Sequence, residues 1–130
     1  MLRSEPPLNK PGPRNNTFQN SNSILMKEMT VKELKQKIDN NEDIEIIDVR
    51  EPYEADLATL GAKLIPMGDV EDRVDEIPKN KPVVVHCRSG KRSASVIELL
   101  AAMHGFDNLY NLKGGILDWS KEIDSSIPTY

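Results

Sequence analysis

The chain has 130 residues, enough for one compact core and too few for two ordinary domains. Its 17 lysines and arginines stand against 21 aspartates and glutamates, a formal charge of -4 that disfavours bulk attraction to nucleic acid or to an anionic membrane surface. No stretch approaches the roughly 20 apolar residues of a spanning helix, and the N-terminus lacks the apolar run of a secretory signal, so a soluble cytoplasmic protein is expected.

The first segment is rich in Pro, Asn and Ser, and its scattered apolar residues form no face. Residues 1–26 are therefore expected to be a flexible tail or linker, and residues 27–130 the folded domain. A transit peptide fits less well, because the prolines interrupt any amphipathic helix. Thr30 and Glu33 then form a capping-box pair, and Val31, Leu34 and Ile38 recur at helical spacing, predicting a short helix that ends near Asn40. Ile44 to Val49 is a short, β-branched apolar run, the pattern of a strand buried on both faces. Leu64 and Ile65 before Pro66 suggest another strand, and Val70, Val74 and Ile77 a helix that stops before Pro78. Val83 to Val85 is the most apolar strand. A helix from Ser93 to His104 follows, with Val96, Ile97, Leu99, Leu100 and Met103 on a broad face and Gly105 as its stop. A strand near Leu109 to Leu112 leads to a Gly114-Gly115 turn and a short helix holding Ile116, Leu117 and Trp119. This alternation predicts α/β architecture with right-handed crossovers.

The chemistry concentrates where the Val83–Val85 strand runs out through His86 into Cys87-Arg88-Ser89-Gly90-Lys91-Arg92-Ser93. In open α/β sheets, ligands bind outside the C-terminal ends of the strands, where the N–H groups of the next helix converge. Gly90 lets the loop adopt angles closed to other residues, so that several N–H groups can turn towards one sulfur. Arg88, Lys91 and Arg92 add positive charge, and with the helix dipole they favour the Cys87 thiolate. Cys87 is the only cysteine, so no intrachain disulfide competes for it. A lone cysteine is usually inert packing, but this placement argues for a nucleophile. Strand alternation turns His86 away from the Cys87 side chain and suggests a structural histidine. His104 reads as a cation capping its helix, and Trp119 as core. One cysteine and two separated histidines supply no metal-ligand set.

Three segments together resemble the signature blocks of the rhodanese family. They are Asp48-Val49-Arg50-Glu51-Pro52-Tyr53-Glu54, Cys87 to Ser93, and Gly114-Gly115-Ile116 with Trp119. The resemblance covers about residues 28 to 130 and implies a single rhodanese-like domain, a five-stranded parallel sheet flanked by helices on both faces. It also implies a catalytic Cys87 that cycles between thiolate and persulfide, with Arg88, Ser89, Gly90, Lys91, Arg92 and Ser93 as the substrate-binding loop and no metal or organic cofactor. Asp48 and Arg50 are supporting residues, one of them a candidate partner for Arg92. The ending Glu122 to Tyr130 is similar to that of rhodanese domains fused behind adenylyltransferases that activate ubiquitin-like sulfur carriers in molybdopterin and thiamin biosynthesis. Expected partners are thus a small anionic sulfur donor or a persulfide-bearing protein, and an adenylyltransferase domain with its carrier. The Gly-His-Ile step of many rhodaneses is replaced by Asp56-Leu57-Ala58-Thr59-Leu60-Gly61, a departure at the pocket rim.

Two other functions compete. Cysteine phosphatases and arsenate reductases also place His-Cys before a basic loop and a helix, but the phosphatase pattern puts its arginine where this chain has Ser93. Arg92 follows Cys87 after only four intervening residues, which shortens the loop. A binding module without catalysis is the other alternative, and the intact Cys87 loop speaks against it.

Overall fold

The computed structural model describes residues 26–130, so nearly all of the expected tail lies outside the described residues. In chain order the elements are β1 (Glu28–Met29), α1 (Val31–Asp39), β2 (Glu45–Asp48), α2 (Pro52–Leu57) and β3 (Lys63–Leu64). Two 3-10 segments follow (Met67–Asp69 and Glu71–Glu76), then β4 (Val83–His86), α3 (Lys91–His104), β5 (Leu109–Leu112) and α4 (Gly115–Glu122). The five strands form one parallel sheet in the order β1-β5-β4-β2-β3. Both the α/β class and the five-stranded parallel sheet expected from the resemblance are present.

Strand β4 lies at the centre, and its alternation divides the core. Val83, Val85 and then Cys87 face a cluster that includes Ile97 and Leu100 of α3 and Val70 and Ile77 of the 3-10 region. Val84 faces the opposite cluster, with Val31 and Leu34 of α1 and Trp119 of α4. A strand buried on both faces needs apolar residues at both parities, which explains the unbroken Val83-Val84-Val85 run. Every β4 residue is buried. Trp119 is 7% exposed and belongs to the core, as its apolar surroundings in sequence suggest.

Helix α1 starts with the capping box read from the sequence: Glu33 N–H donates to Thr30 Oγ1 at 3.1 Å, and Thr30 N–H donates to Glu33 Oε1 at 2.8 Å. The helix expected over Val70 to Ile77 is instead the 3-10 segment Glu71–Glu76, itself interrupted at Arg73 with φ -127° and ψ 24°. Val70 and Ile77 are still buried and Val74 packs against them, so the apolar spacing served packing in a looser backbone. Steps of four and three residues suit an α-helix and an interrupted 3-10 path alike, and periodicity does not separate them. Strand β1 and helix α2 lie in segments where the sequence pattern showed no element. The former is two residues long, and the latter is a six-residue helix that begins at a proline.

Candidate active site

Cys87 follows the last residue of β4, at the C-terminal edge of the sheet, and is 1% exposed. Its Sγ accepts the Gly90 N–H at 3.1 Å and the Ser93 N–H at 3.4 Å, and lies 3.4 Å from Ser93 Oγ. Burial pushes the Cys87 thiol up, but the hydrogen bonds that the sulfur anion can receive from the Ser93 hydroxyl and from the backbone of Ser93, Gly90 and Ser89 outweigh it and hold it below the ordinary thiol value. The anion is thus favoured by the Ser93 hydroxyl and, beside it, by the backbone amides of a tight turn that opens α3.

The loop takes this shape because its carbonyls are drawn elsewhere. Ile116 N–H at the start of α4 donates to the Cys87 carbonyl at 3.0 Å, and Leu117 N–H donates to the Arg88 carbonyl at 3.2 Å. With its carbonyls turned towards α4, the loop leaves its N–H groups free to face the sulfur. Gly115 makes this contact possible: a Cβ there would lie 2.4 Å from the Arg88 carbonyl oxygen and 2.6 Å from that of Cys87. Gly90 has φ +109°, which an L side chain rarely adopts. The Gly114-Gly115 pair is therefore the seat of the loop as well as a turn.

The three cations of the loop have different surroundings. Arg92 donates Nη1 to Glu54 Oε2 at 2.7 Å and Nη2 to Glu54 Oε1 at 2.8 Å. This corrects the expectation that Asp48 or Arg50 pairs with Arg92; Asp48 is fully engaged by Arg50. Arg88 donates Nε to the Tyr130 carbonyl at 2.7 Å, adds a second bond from Nη2, and lies over the Tyr130 ring. Lys91 is exposed and has no ion pair or hydrogen bond from its side chain among the described residues.

Behind the loop, Arg50 is fully buried and all its guanidinium nitrogens are occupied. Asp48 takes Nε and Nη2 at 2.9 and 2.7 Å, the Ala58 carbonyl takes Nη2 at 2.8 Å, and Tyr130 Oη takes Nη1 at 2.8 Å. Burial opposes the Arg50 charge, but its bonds to Asp48 and Tyr130 prevail and its pKa is raised. Tyr130 Oη donates in turn to Glu54 Oε1 at 2.8 Å, and Glu51 N–H donates to Glu54 Oε2 at 3.0 Å. Glu54 thus receives four hydrogen bonds, and those from Arg92 do most to bring its carboxyl down to about 2 against the opposing effect of burial. Asp48 and Arg50 therefore reach the loop indirectly, through Tyr130, Glu54 and Arg92.

His86 is fully buried, its Nδ1 3.3 Å from the Cys87 carbonyl oxygen and its Nε2 3.9 Å from Asp48 Oδ2. Burial lowers its pKa, so the ring is neutral near pH 7 and packs behind the loop. His104 ends α3 with Nε2 3.5 Å from Glu71, while the cation on the helix's last carbonyl is Lys79, which donates to the His104 carbonyl at 2.6 Å.

Glu54, Asn111 and Tyr130 were not singled out by the sequence reading. Glu54 lay inside the first signature block, and a signal for Asn111 existed in its polar side chain within the apolar Leu109–Leu112 run. Tyr130 lay inside the ending whose resemblance was read, but nothing there marked its contact with the loop.

Among the described residues, no helix is long and apolar enough to cross a membrane. The family model of the rhodanese-like domain matches residues 30–122. A sulfurtransferase of Allochromatium vinosum is 34% identical over 98 residues, covering 75% of this chain and 91% of that protein. The probable adenylyltransferase/sulfurtransferase MoeZ of Mycobacterium tuberculosis is 34% identical over 107 residues, covering 78% of this chain. This chain spans only 26% of that relative's length. Among solved structures, a rhodanese-like domain protein from Staphylococcus aureus superposes with a TM-score of 0.68 at 33% identity, over 81% of this chain and 99% of that one. With a family model spanning strands β2 to β5, the cysteine loop and α4, the chain belongs to the rhodanese-like domain family.

Proposed function

We propose that the chain is a rhodanese-type sulfurtransferase that carries sulfane sulfur as a persulfide on Cys87. The observation that carries this reading is the turn of N–H groups around Cys87 Sγ, with Gly90 at 3.1 Å and Ser93 at 3.4 Å. Such a cradle favours a thiolate before transfer and offers the same donors to an added sulfur anion afterwards. The names of the Allochromatium and Mycobacterium relatives support the same chemistry.

With thiosulfate as donor, the Cys87 thiolate attacks the outer sulfur, the sulfur–sulfur bond of the donor breaks, and sulfite leaves with the electron pair. A nucleophilic acceptor such as cyanide then takes the terminal sulfur and releases the Cys87 thiolate. Two half-reactions through one covalent intermediate give ping-pong kinetics. Lys91, and Arg88 once an anion competes with the Tyr130 carbonyl, supply the positive rim for the donor.

In the physiological setting we assign, residues 27–130 form the sulfurtransferase domain behind a linker in residues 1–26, in the cytoplasm and beside an adenylyltransferase. The terminal persulfide sulfur attacks the acyl-adenylate of a ubiquitin-like carrier and displaces AMP. A thiol from another cysteine or a small molecule then cleaves the acyl disulfide, leaving a carrier thiocarboxylate and a mixed disulfide on Cys87. The resemblance of the Glu122–Tyr130 ending and the similarity to MoeZ support this role.

Mass spectrometry after incubation with thiosulfate tests the core of the reading: wild type gains one sulfur atom and Cys87→Ser gains none. A reconstitution with adenylyltransferase, ATP and carrier tests the rest, by replacement of one carrier oxygen with sulfur. Sulfur loading on Cys87→Ser, or efficient hydrolysis of aryl phosphates by wild type, overturns the assignment.

A further inference from the structure

Ser93 has one hydroxyl proton and two neighbours that compete for it. Its Oγ lies 2.6 Å from Asn111 Oδ1 and 3.4 Å from Cys87 Sγ, with Ser93 fully buried and Asn111 only 5% exposed. The register pairs Asn111 of β5 with Val85 of β4, two residues before Cys87 and on the same face of the sheet. The orientation of the Asn111 amide is fixed by its other end: Nδ2 donates to the Gly90 carbonyl at 3.1 Å. A flipped amide would set oxygen against oxygen there, so Oδ1 faces Ser93. An amide oxygen only accepts, so the 2.6 Å bond uses the Ser93 proton and leaves an oxygen lone pair towards Cys87.

The geometry points to Asn111 as a positioning residue that holds the Ser93 proton away from the Cys87 sulfur and so gives the site two hydrogen-bonded states. In the first, Asn111 takes the Ser93 proton, and Ser93 accepts the S–H of a neutral Cys87 thiol. In the second, the hydroxyl rotates and donates to a sulfur anion, beside the N–H groups of Gly90 and Ser93, while Asn111 Oδ1 loses its partner. The desolvated amide oxygen opposes that rotation, because a buried acceptor without a donor is costly. Asn111 therefore restrains the thiolate until the sulfur's charge is strong enough to draw the proton across. No bond to carbon or sulfur changes in this step; one hydroxyl rotates. The proposal rests on the reading of Cys87 as the reactive sulfur and adds a control on its charge state.

The Asn111 side chain is hydrogen-bonded to none of the charged or titratable groups around the sulfur: Arg88, Lys91 and Arg92 on the loop side, Glu54 and Tyr130 beyond them, and Asp48 and Arg50 behind His86. A shift in thiol acidity then reports the hydroxyl. The test is a double-mutant cycle read by the pH dependence of Cys87 alkylation in wild type, Asn111→Leu, Ser93→Ala and the double variant. Asn111→Leu releases the Ser93 proton to the sulfur and lowers the alkylation midpoint by on the order of one pH unit, the size of one gained hydrogen bond to an anion. In the Ser93→Ala background the same change has no such effect. A merely structural Asn111, acting through its bond to Gly90, would loosen the loop, raise the midpoint and do so in both backgrounds; that result overturns the proposal. Circular dichroism checks each fold, and Asn111→Ala gives the same cycle without added bulk if the leucine variant misfolds. Alkylation requires no sulfur transfer. A wild type that loads no sulfur yet shows the expected cycle defeats the sulfurtransferase reading alone; one that loads sulfur but shows a flat cycle defeats the role of Asn111 alone.

Discussion

Glu54 grips Arg92 through both carboxylate oxygens, at 2.7 and 2.8 Å, across 38 positions of sequence. Glu54 sits in the α2 turn after β2, and Arg92 in the first turn of α3, so the pair ties the two segments that flank the sulfur. Glu54→Gln keeps the shape and loses the charge. We expect a destabilisation of about 2 kcal/mol, discounted for the part of Arg92 that water reaches, together with a weaker hold on the start of α3. Urea unfolding at pH 7 measures the first. A change within the error of the fit would show that the pair is dispensable.

The same carboxylate sets an acid limit. Its folded pKa of about 2 lies below the ordinary value of 4.5, so its contribution is full above the ordinary value and is lost as pH falls towards 2. Stability of wild type should therefore decline between about pH 5 and pH 2, and Glu54→Gln should flatten that decline. Parallel slopes for the two proteins would mean that another group carries the acid sensitivity.

Cys87 should react with an alkylating agent with a midpoint below the roughly 8.5 of a free thiol, because the Ser93 hydroxyl and the loop amides together outweigh the burial of the sulfur. Cys87→Ser should abolish transfer from thiosulfate to cyanide while keeping stability within about 1 kcal/mol of wild type, since the two side chains differ by one atom. A midpoint at or above the free-thiol value argues against an activated thiolate, and residual transfer by the serine variant against the persulfide.

Gly115→Ala tests the seat of the loop. The new Cβ would fall 2.4 Å from the Arg88 carbonyl oxygen at a φ of +61°, and the near atoms are backbone. The loop must move, so sulfur transfer should drop at least about tenfold with a stability loss of about 2 kcal/mol or more. Wild-type rates in this variant would show that the contact with α4 does not set the sulfur geometry.

Tyr130→Phe removes the hydroxyl that joins Arg50 Nη1 to Glu54 Oε1. Both charged groups lose a partner, which predicts a loss of about 1–3 kcal/mol by urea unfolding. The Arg50→Lys variant should cost more, because a lysine cannot satisfy Asp48 with two parallel bonds and reach Ala58 as well.

Legibility in the sequence followed the range of the interactions. The β4 strand, the Cys87 loop and α3 are consecutive, and their roles show in a run of valines, one cysteine and one glycine. The first block, Asp48 to Glu54, was visible as a motif, but the bond from Arg92 to Glu54 was not, because pairing across 38 residues leaves no periodic trace. Asp48 and Arg50 satisfy each other two residues apart, and nothing in their order says that Arg92 is held by a third side chain. Asn111 and Tyr130 act only through the register of β5 and the path of the last residues, which a one-dimensional pattern does not carry. Strand β1 has two residues and relies on β5 for its hydrogen bonds, so it has no pattern of its own to show.

The turn around Cys87 draws two of its donors from main-chain N–H groups, those of Gly90 and Ser93, while Arg88, Ser89 and Lys91 have exposed side chains. Under the proposed function, reactivity and selectivity are consequently written in different parts of the same seven residues. Exchanging the exposed side chains redecorates the entrance without removing a donor from the sulfur, so one nucleophile can be retargeted to donors of different charge and bulk by surface mutations alone. A library varied at positions 88, 89 and 91, with Gly90, Ser93 and Gly115 kept, is the natural route to sulfur transfer with altered partners.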